Sequence, residues 1–163
     1  MDKITEGVYM GDIRAAANLH LLKQYGITHI LQVLSGLNPC FPTDFKYKLV
    51  PVLDVPWENV SKHFQGCIKF IKSVVDTGGN VFVHCYGGVS RSATMVLAYL
   101  IQEKGMNFFV ALNMVKQRRP CVFPNPGFQR QLLDFEKALQ EKKTATPLKD
   151  VLQRNASAQR SVK

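Results

Sequence analysis

Apolar positions recur along the chain in two alternating rhythms, and the alternation predicts a layered α/β fold. "EGVYMG" is a short apolar run closed by Gly11 and reads as a strand. "AANLHLLKQYG" has helical spacing and stops at Gly26. "ITHILQVL" is nearly continuous in apolar residues, the pattern of a strand buried on both faces. Residues 35–46 hold Gly, Asn and two Pro and read as loop, and "YKLVPVL" is a further strand whose Pro51 marks an edge or a bulge. Between Ser61 and Asp76, Phe64, Cys67, Ile68, Ile71, Val74 and Val75 recur at helical spacing until Gly78 and Gly79 end the helix. "NVFVH" is the most apolar strand and belongs in the middle of a sheet. Helices follow over Ala93–Glu103 and Asn107–Arg118, the second with Asn107 as its cap. "RRPCVFPNPG" reads as loop, and Phe128–Lys142 as the last helix, with Leu132, Leu133 and Phe135 towards the core. Strands alternating with helices predict a central, mostly parallel sheet flanked by helices, with ligands at the carboxyl ends of the strands. A folded domain therefore spans 1–142, and 143–163 reads as a polar, disordered tail with at most one turn around Leu148 and Val151.

Length and charge narrow the reading. The chain has 163 residues, 46% of them hydrophobic, enough for one sizeable core. No apolar run reaches the roughly 18 residues of a membrane span, and the charged start "MDKITEG" carries no signal core. Neither a myristoylation site nor a prenylation box is present, so no membrane anchor is expected. The formal charge is +9, of which +5 lies between Lys142 and Lys163, where six basic residues face the single acid Asp150. That tail lacks the dense run of a nucleic-acid or nuclear-import signal and reads as solvated. Four cysteines, Cys40, Cys67, Cys85 and Cys121, have no zinc or C-x-x-C spacing. They fit a reducing compartment, with Cys67 as a small core residue.

The chemistry concentrates in "VFVHCYGGVSRSATMVLAYLI". Cys85 and Arg91 bracket Tyr-Gly-Gly-Val-Ser between a buried strand and a helix. The spacing alone is a weak motif, but a strand–loop–helix of this kind turns successive backbone N–H groups inward, making an anion nest at a helix N-terminus. Gly87 and Gly88 allow torsions and close approach that side chains would block. A phosphate fits such a nest, and Arg91 adds a planar fork able to grip two oxygens. The same field acts on Cys85, whose thiolate would be a nucleophile aimed at phosphorus. Ser92 can hydrogen-bond the sulfur and help it leave in a second step. His84 points away from Cys85 on a strand and reads as a buried group orienting the loop. The leaving group needs a proton from another loop. Asp54, at the end of "KLVPVLD", is the best candidate; a turn or capping aspartate is the equal reading of its spacing, and Glu58 is the fallback.

This stretch resembles the signature of the dual-specificity protein phosphatases, within the cysteine-based tyrosine phosphatase superfamily. "GVYMG", "YGITHILQV", "FVHC", "AYLI", "PNPGFQRQL" and the stretch from Asp54 through Asn59, Val60 and Ser61 to Phe64 are similar to successive blocks of that family, over roughly residues 4 to 141. The resemblance implies a tyrosine phosphatase-like fold and a catalytic domain over 1–142. It implies that Cys85 forms a phosphocysteine and that Arg91 and the main-chain N–H groups of Tyr86, Gly87, Gly88, Val89, Ser90 and Arg91 bind the phosphoryl oxygens. Ser92 would assist breakdown, and Asp54 would protonate the leaving group and then activate water. Asn125 would brace the loop; as a bare residue beside two prolines it reads equally as a turn. Gly87 departs from the family's usual alanine, and "AYLI" from its commoner "AYLM".

The implied function is hydrolysis of phosphotyrosine and of phosphoserine or phosphothreonine on protein substrates. No cofactor, metal or nucleic acid is expected, and the enzyme would be monomeric and cytoplasmic, with the nucleus also open to it. No rhodanese-like module precedes the catalytic blocks, so a small atypical member, without kinase docking, is expected. Two alternatives remain. Phosphoinositide or RNA 5′-phosphatases of the superfamily fit less well, because lipid enzymes set lysines in the loop where Tyr86 and Val89 stand here. A non-catalytic phosphate-binding relative would typically lack the nucleophile or the arginine, and both are present.

Overall fold

The most apolar strand does lie at the middle of the sheet. In a computed structural model of the chain, residues 1–160 are described, with side chains to residue 145; the end of the predicted tail, 161–163, lies outside the described residues. Five strands, β1 (Asp2–Thr5), β2 (Val8–Gly11), β3 (Ile27–Gln32), β4 (Lys46–Leu49) and β5 (Asn80–His84), form one sheet in the order β1-β2-β5-β3-β4. Only β1 runs antiparallel to its neighbour; the other pairs are parallel. This is the mixed α/β sheet, mostly parallel, that the pattern predicts.

Alternation along β5 explains its place. Val81 and Val83 face one apolar cluster and Phe82 the other, and all three are fully buried. On the larger side lie α3 (Phe64–Asp76), α4 (Arg91–Glu103), α5 (Phe108–Arg118) and α6 (Pro126–Arg160); on the smaller side lie α1 (Ile13–Ala16) and α2 (Leu19–Gln24). Every residue of α4 from Ser92 to Ile101 is buried. A helix apolar all round is stable in water only when other elements enclose it, and β5, α3, α5 and α6 do so here.

Several boundaries differ from the pattern, each for a local reason. β1 escapes prediction because "DKIT" is charged; it pairs with β2 through the backbone, Asp2 opposite Met10. The helix predicted over residues 16–26 starts only at Leu19, capped by Asn18, and a separate short helix, α1, capped by Asp12, precedes it where no helix is predicted. β3 is buried on both faces only in its second half: Thr28 is exposed and His29 half-buried. β4 is an edge strand and ends before Pro51. A turn of 3-10 helix, Ser61–His63, precedes α3. α4 begins two residues earlier than predicted, at Arg91. In α6, Leu132 is buried and Phe135 packs on the core, but Leu133 is 38% exposed. α6 also continues past Lys142 to Arg160. Lack of an apolar stripe argued against helix there, yet the stretch is rich in Ala, Leu, Lys, Gln and Arg, whose own preference is helical.

In the parallel register Gly11, His84 and Gln32 end side by side. The loop that follows His84 therefore opens at the carboxyl edge, where α1 leaves β2 on the smaller side of the sheet and α4 leaves β5 on the larger.

Candidate active site

The loop from Cys85 to Arg91 is held by its carbonyl oxygens. Tyr86 O accepts from the N–H of Ile13 at 3.0 Å, and Val89 O from that of Phe123 at 2.9 Å. Gly87 O accepts from Arg119 Nη2 at 3.1 Å and Gly88 O from Arg119 Nε at 2.8 Å. Ser90 O accepts from both the N–H and the hydroxyl of Thr94. Cys85 O accepts from His84 Nδ1 at 3.2 Å. In a trans peptide unit the N–H points opposite to its C=O. Binding each carbonyl on the outside therefore turns the N–H groups of residues 86–91 inward. The N–H of Gly88 already reaches Cys85 Sγ, at 3.2 Å.

Only one of the two glycines is sterically obliged. Gly88 has φ +65°, and a Cβ there would stand 2.5 Å from the Gly11 carbonyl oxygen and 2.6 Å from Arg119 Nη2. At Gly87 the nearest atom would be Val89 Cγ2 at 3.5 Å, ordinary contact. The family's usual alanine would therefore fit at Gly87, and this departure leaves the loop's geometry intact.

Cys85 is 2% exposed, at the floor of the nest. Ser92 Oγ lies 3.2 Å from its sulfur, so the serine hydroxyl and one amide converge on it. Ser90, the residue before α4, makes no side-chain cap to the helix. Its hydroxyl instead donates to Asp54 Oδ1 at 2.7 Å. The first N–H groups of α4 are thus left for an anion, at the positive end of the helix dipole. Arg91 Nη1 donates to Val52 O at 3.2 Å, while its Nε is buried, has no hydrogen-bond partner among the described residues and lies 3.9 Å from Asp54 Oδ2. A buried, unused guanidinium donor beside an uncapped helix start suits an oxyanion.

The Asp54 loop is positioned from the other end of the chain. Asp54 Oδ1 also accepts from Asn125 Nδ2 at 2.9 Å, and the Asn125 N–H donates to Ser90 Oγ at 3.0 Å. Asn125 Oδ1 caps α6 by accepting from the Phe128 N–H at 3.0 Å. Farther along the loop, Gln131 Oε1 accepts from the N–H groups of Val60 and Ser61, and its Nε2 donates to Glu58 O. Gly127 abuts Pro56 so closely that any Cβ would overlap the Pro56 carbonyl. Glu58, the alternative acid, pairs with Lys62 at 3.6 Å.

His84 is 2% exposed and stacks on Phe82 with rings 5.5 Å apart. Burial pushes its pKa down to about 4, so the ring is neutral at physiological pH. Burial pushes the Cys67 thiol up to about 12, as befits a core residue inside α3. Cys40 and Cys121 are exposed and free.

The site gathers every residue predicted from the sequence: Cys85, Arg91, Ser92, Asp54, Asn125, His84 and the loop amides. Two it adds. Arg119 read only as part of a loop, and Ser90 only as a main-chain donor; their side-chain partners, Gly87, Gly88 and Asp2 for one and Asp54 for the other, lie far away in sequence. The single available sign was that Ser90 precedes a helix.

Taken together, an anion nest, a sulfur at its floor and a carboxyl at its rim define the cysteine-dependent phosphatases as a class. The sequence profile described as "Dual specificity phosphatase, catalytic domain" matches residues 8–138. "Dual specificity protein phosphatase 1" of Arabidopsis thaliana is 47% identical over 137 residues, which cover 84% of this chain and 69% of that protein. "Dual specificity protein phosphatase 1B" of the same plant is 41% identical over 140 residues, 86% of this chain and 84% of that one. The crystal structure of human DUSP28 superposes with a TM-score of 0.82 at 32% identity, covering 85% of this chain and 94% of that one. The chain belongs to the dual-specificity phosphatase family, within the cysteine-based tyrosine phosphatase superfamily. It is a protein phosphatase, a hydrolase of phosphoester bonds.

Proposed function

We propose that the enzyme hydrolyses phosphotyrosine and phosphoserine or phosphothreonine in proteins through a phosphocysteine, without metal or cofactor. The observation that carries this reading is the placement of Cys85 Sγ, 3.2 Å from both the Gly88 N–H and Ser92 Oγ. The inward amides and the free Arg91 Nε bind the three non-bridging oxygens, and these donors are fixed before the substrate arrives. The sulfur attacks phosphorus as the P–O bond to the substrate side chain breaks. Asp54 gives the departing oxygen its proton from Oδ2, since Oδ1 already accepts two hydrogen bonds. Asp54 then takes a proton from water, which attacks the phosphocysteine and releases phosphate. Ser92 stabilises the sulfur as it leaves. Asn125 and Ser90 hold Asp54, and His84 supports the turn into the loop.

Tyr86 and Val89 are uncharged, which favours a single phosphoryl group over a polyphosphorylated lipid headgroup. Among the described residues no helix is long and apolar enough to cross a membrane. A nucleophilic Cys85 with two exposed free cysteines suits a reducing compartment, and we place the enzyme in the cytoplasm. Acid-quenching turnover of ³²P-labelled phosphotyrosine and phosphothreonine peptides should trap labelled protein with both. Cys85→Ser should trap none and lose at least about 10⁴-fold in turnover. Labelled protein with neither peptide in the wild type would refute the reading.

A further inference from the structure

We infer that Arg119 is a positioning residue for the anion nest, the side chain that keeps the two glycine peptide units facing the phosphoryl site. This rests on the reading that the Cys85 loop receives a phosphoryl group. Of the carbonyls at Tyr86, Gly87, Gly88 and Val89, the outer two are tied to backbone N–H groups. Among the described residues the inner two are tied only to Arg119. Those inner units join Gly87 to Gly88 and Gly88 to Val89, where the backbone torsions are softest. A flip of either would turn an N–H out of the nest and a carbonyl oxygen into it, and a flip of the first would also take the Gly88 N–H off the sulfur. The guanidinium opposes both flips at once because its Nε and Nη2 form a rigid fork spanning the two oxygens.

The third donor fixes the fork. Arg119 Nη1 pairs with Asp2 Oδ2 at 2.6 Å, and the arginine side chain is 13% exposed. Asp2 lies on β1, the one antiparallel strand, so the edge of the sheet orients the guanidinium that orients the loop. Arg119 also brings positive charge to the carbonyl ends of the peptide units whose N–H ends meet the ligand, which polarises those N–H groups further. It reaches the ligand through the Gly88 and Val89 amides.

The test compares Arg119→Met, which keeps the apolar stem but removes all donors, with Arg118→Met, which removes the same charge from an exposed neighbour. Inhibition by orthovanadate, kcat and KM are measured at a temperature where circular dichroism finds each protein folded. Arg119→Met should weaken orthovanadate inhibition at least about tenfold and lower kcat about 30-fold, with a smaller change in KM. Arg118→Met should match the wild type. Should Arg119→Met not fold, Arg119→Lys, which can reach one carbonyl, should give an intermediate loss in both quantities. Wild-type inhibition and kcat in the folded Arg119 variant, or equal losses in the two methionine variants, would overturn the inference. A wild-type enzyme indifferent to orthovanadate would instead overturn the phosphatase reading beneath it.

Discussion

The two loops that carry the chemistry are built on opposite plans. The Cys85 loop closes over a buried sulfur and is held through its backbone oxygens: each carbonyl from Cys85 to Ser90 has a partner, two of them on Arg119. The Asp54 loop is exposed, and mainly side chains from elsewhere hold it: Ser90, Asn125 and Gln131. The difference follows from the tasks. Stabilising an oxyanion needs donors fixed in advance, whereas an acid must meet leaving groups of different sizes at the mouth of the site.

The largest way to separate the two loops is Asp54→Ala. It should lower kcat by about 10²- to 10³-fold on phosphoserine peptide, where the departing alkoxide most needs a proton, and far less on an activated aryl phosphate. Orthovanadate affinity should stay near the wild-type value, because the nest is untouched. An equal loss on both substrates would move the acid elsewhere, with Glu58 the next residue to change.

A pair of alanines breaks the other loop. Gly88→Ala should cost about 3 kcal/mol of stability, from the left-handed torsion and the collision with Gly11, and abolish orthovanadate binding. Gly87→Ala should change neither measurably. Urea unfolding with inhibition assays on both variants checks the contrast.

The smallest effect concerns the support under the Cys85 loop. The His84 imidazole has a native pKa of about 4 against an ordinary 6.5. Between these values the unfolded chain binds a proton that the native ring refuses, so stability falls as pH drops from 6.5 towards 4 and is unaffected above that window. The full effect is on the order of 3 kcal/mol. Unfolding free energies at pH 7 and pH 5 should differ less in His84→Gln than in the wild type, and equal pH slopes would exclude His84 as the cause.

The same contrast explains what could be read from the sequence. The sheet order's centre, the helices α3 to α5 and the Cys85–Arg91 loop are contiguous patterns, and each was legible as a stretch. Asp54 was legible only as the end of a strand, because what places it comes from Ser90 and Asn125. Arg119 was illegible, since its partner Asp2 lies 117 residues away. β1 was hidden for a related reason: backbone pairing with β2 defines it, and its one core side chain, Ile4, makes no apolar rhythm. "NPG" at 125–127 is a helix start, Asn as cap and Pro in the first turn, but two nearby prolines made it read as loop.

The tight fit of Gly127 under Pro56 joins the first turn of α6 to the acid's own segment as one mechanical piece. Tilting that helix would carry the proton donor with it, and would pull on the nest only through Ser90 and Val89, while the sulfur stayed rooted at the end of β5. Repacking α6 would thus retune which alcohols depart readily more than it would alter the grip on phosphate.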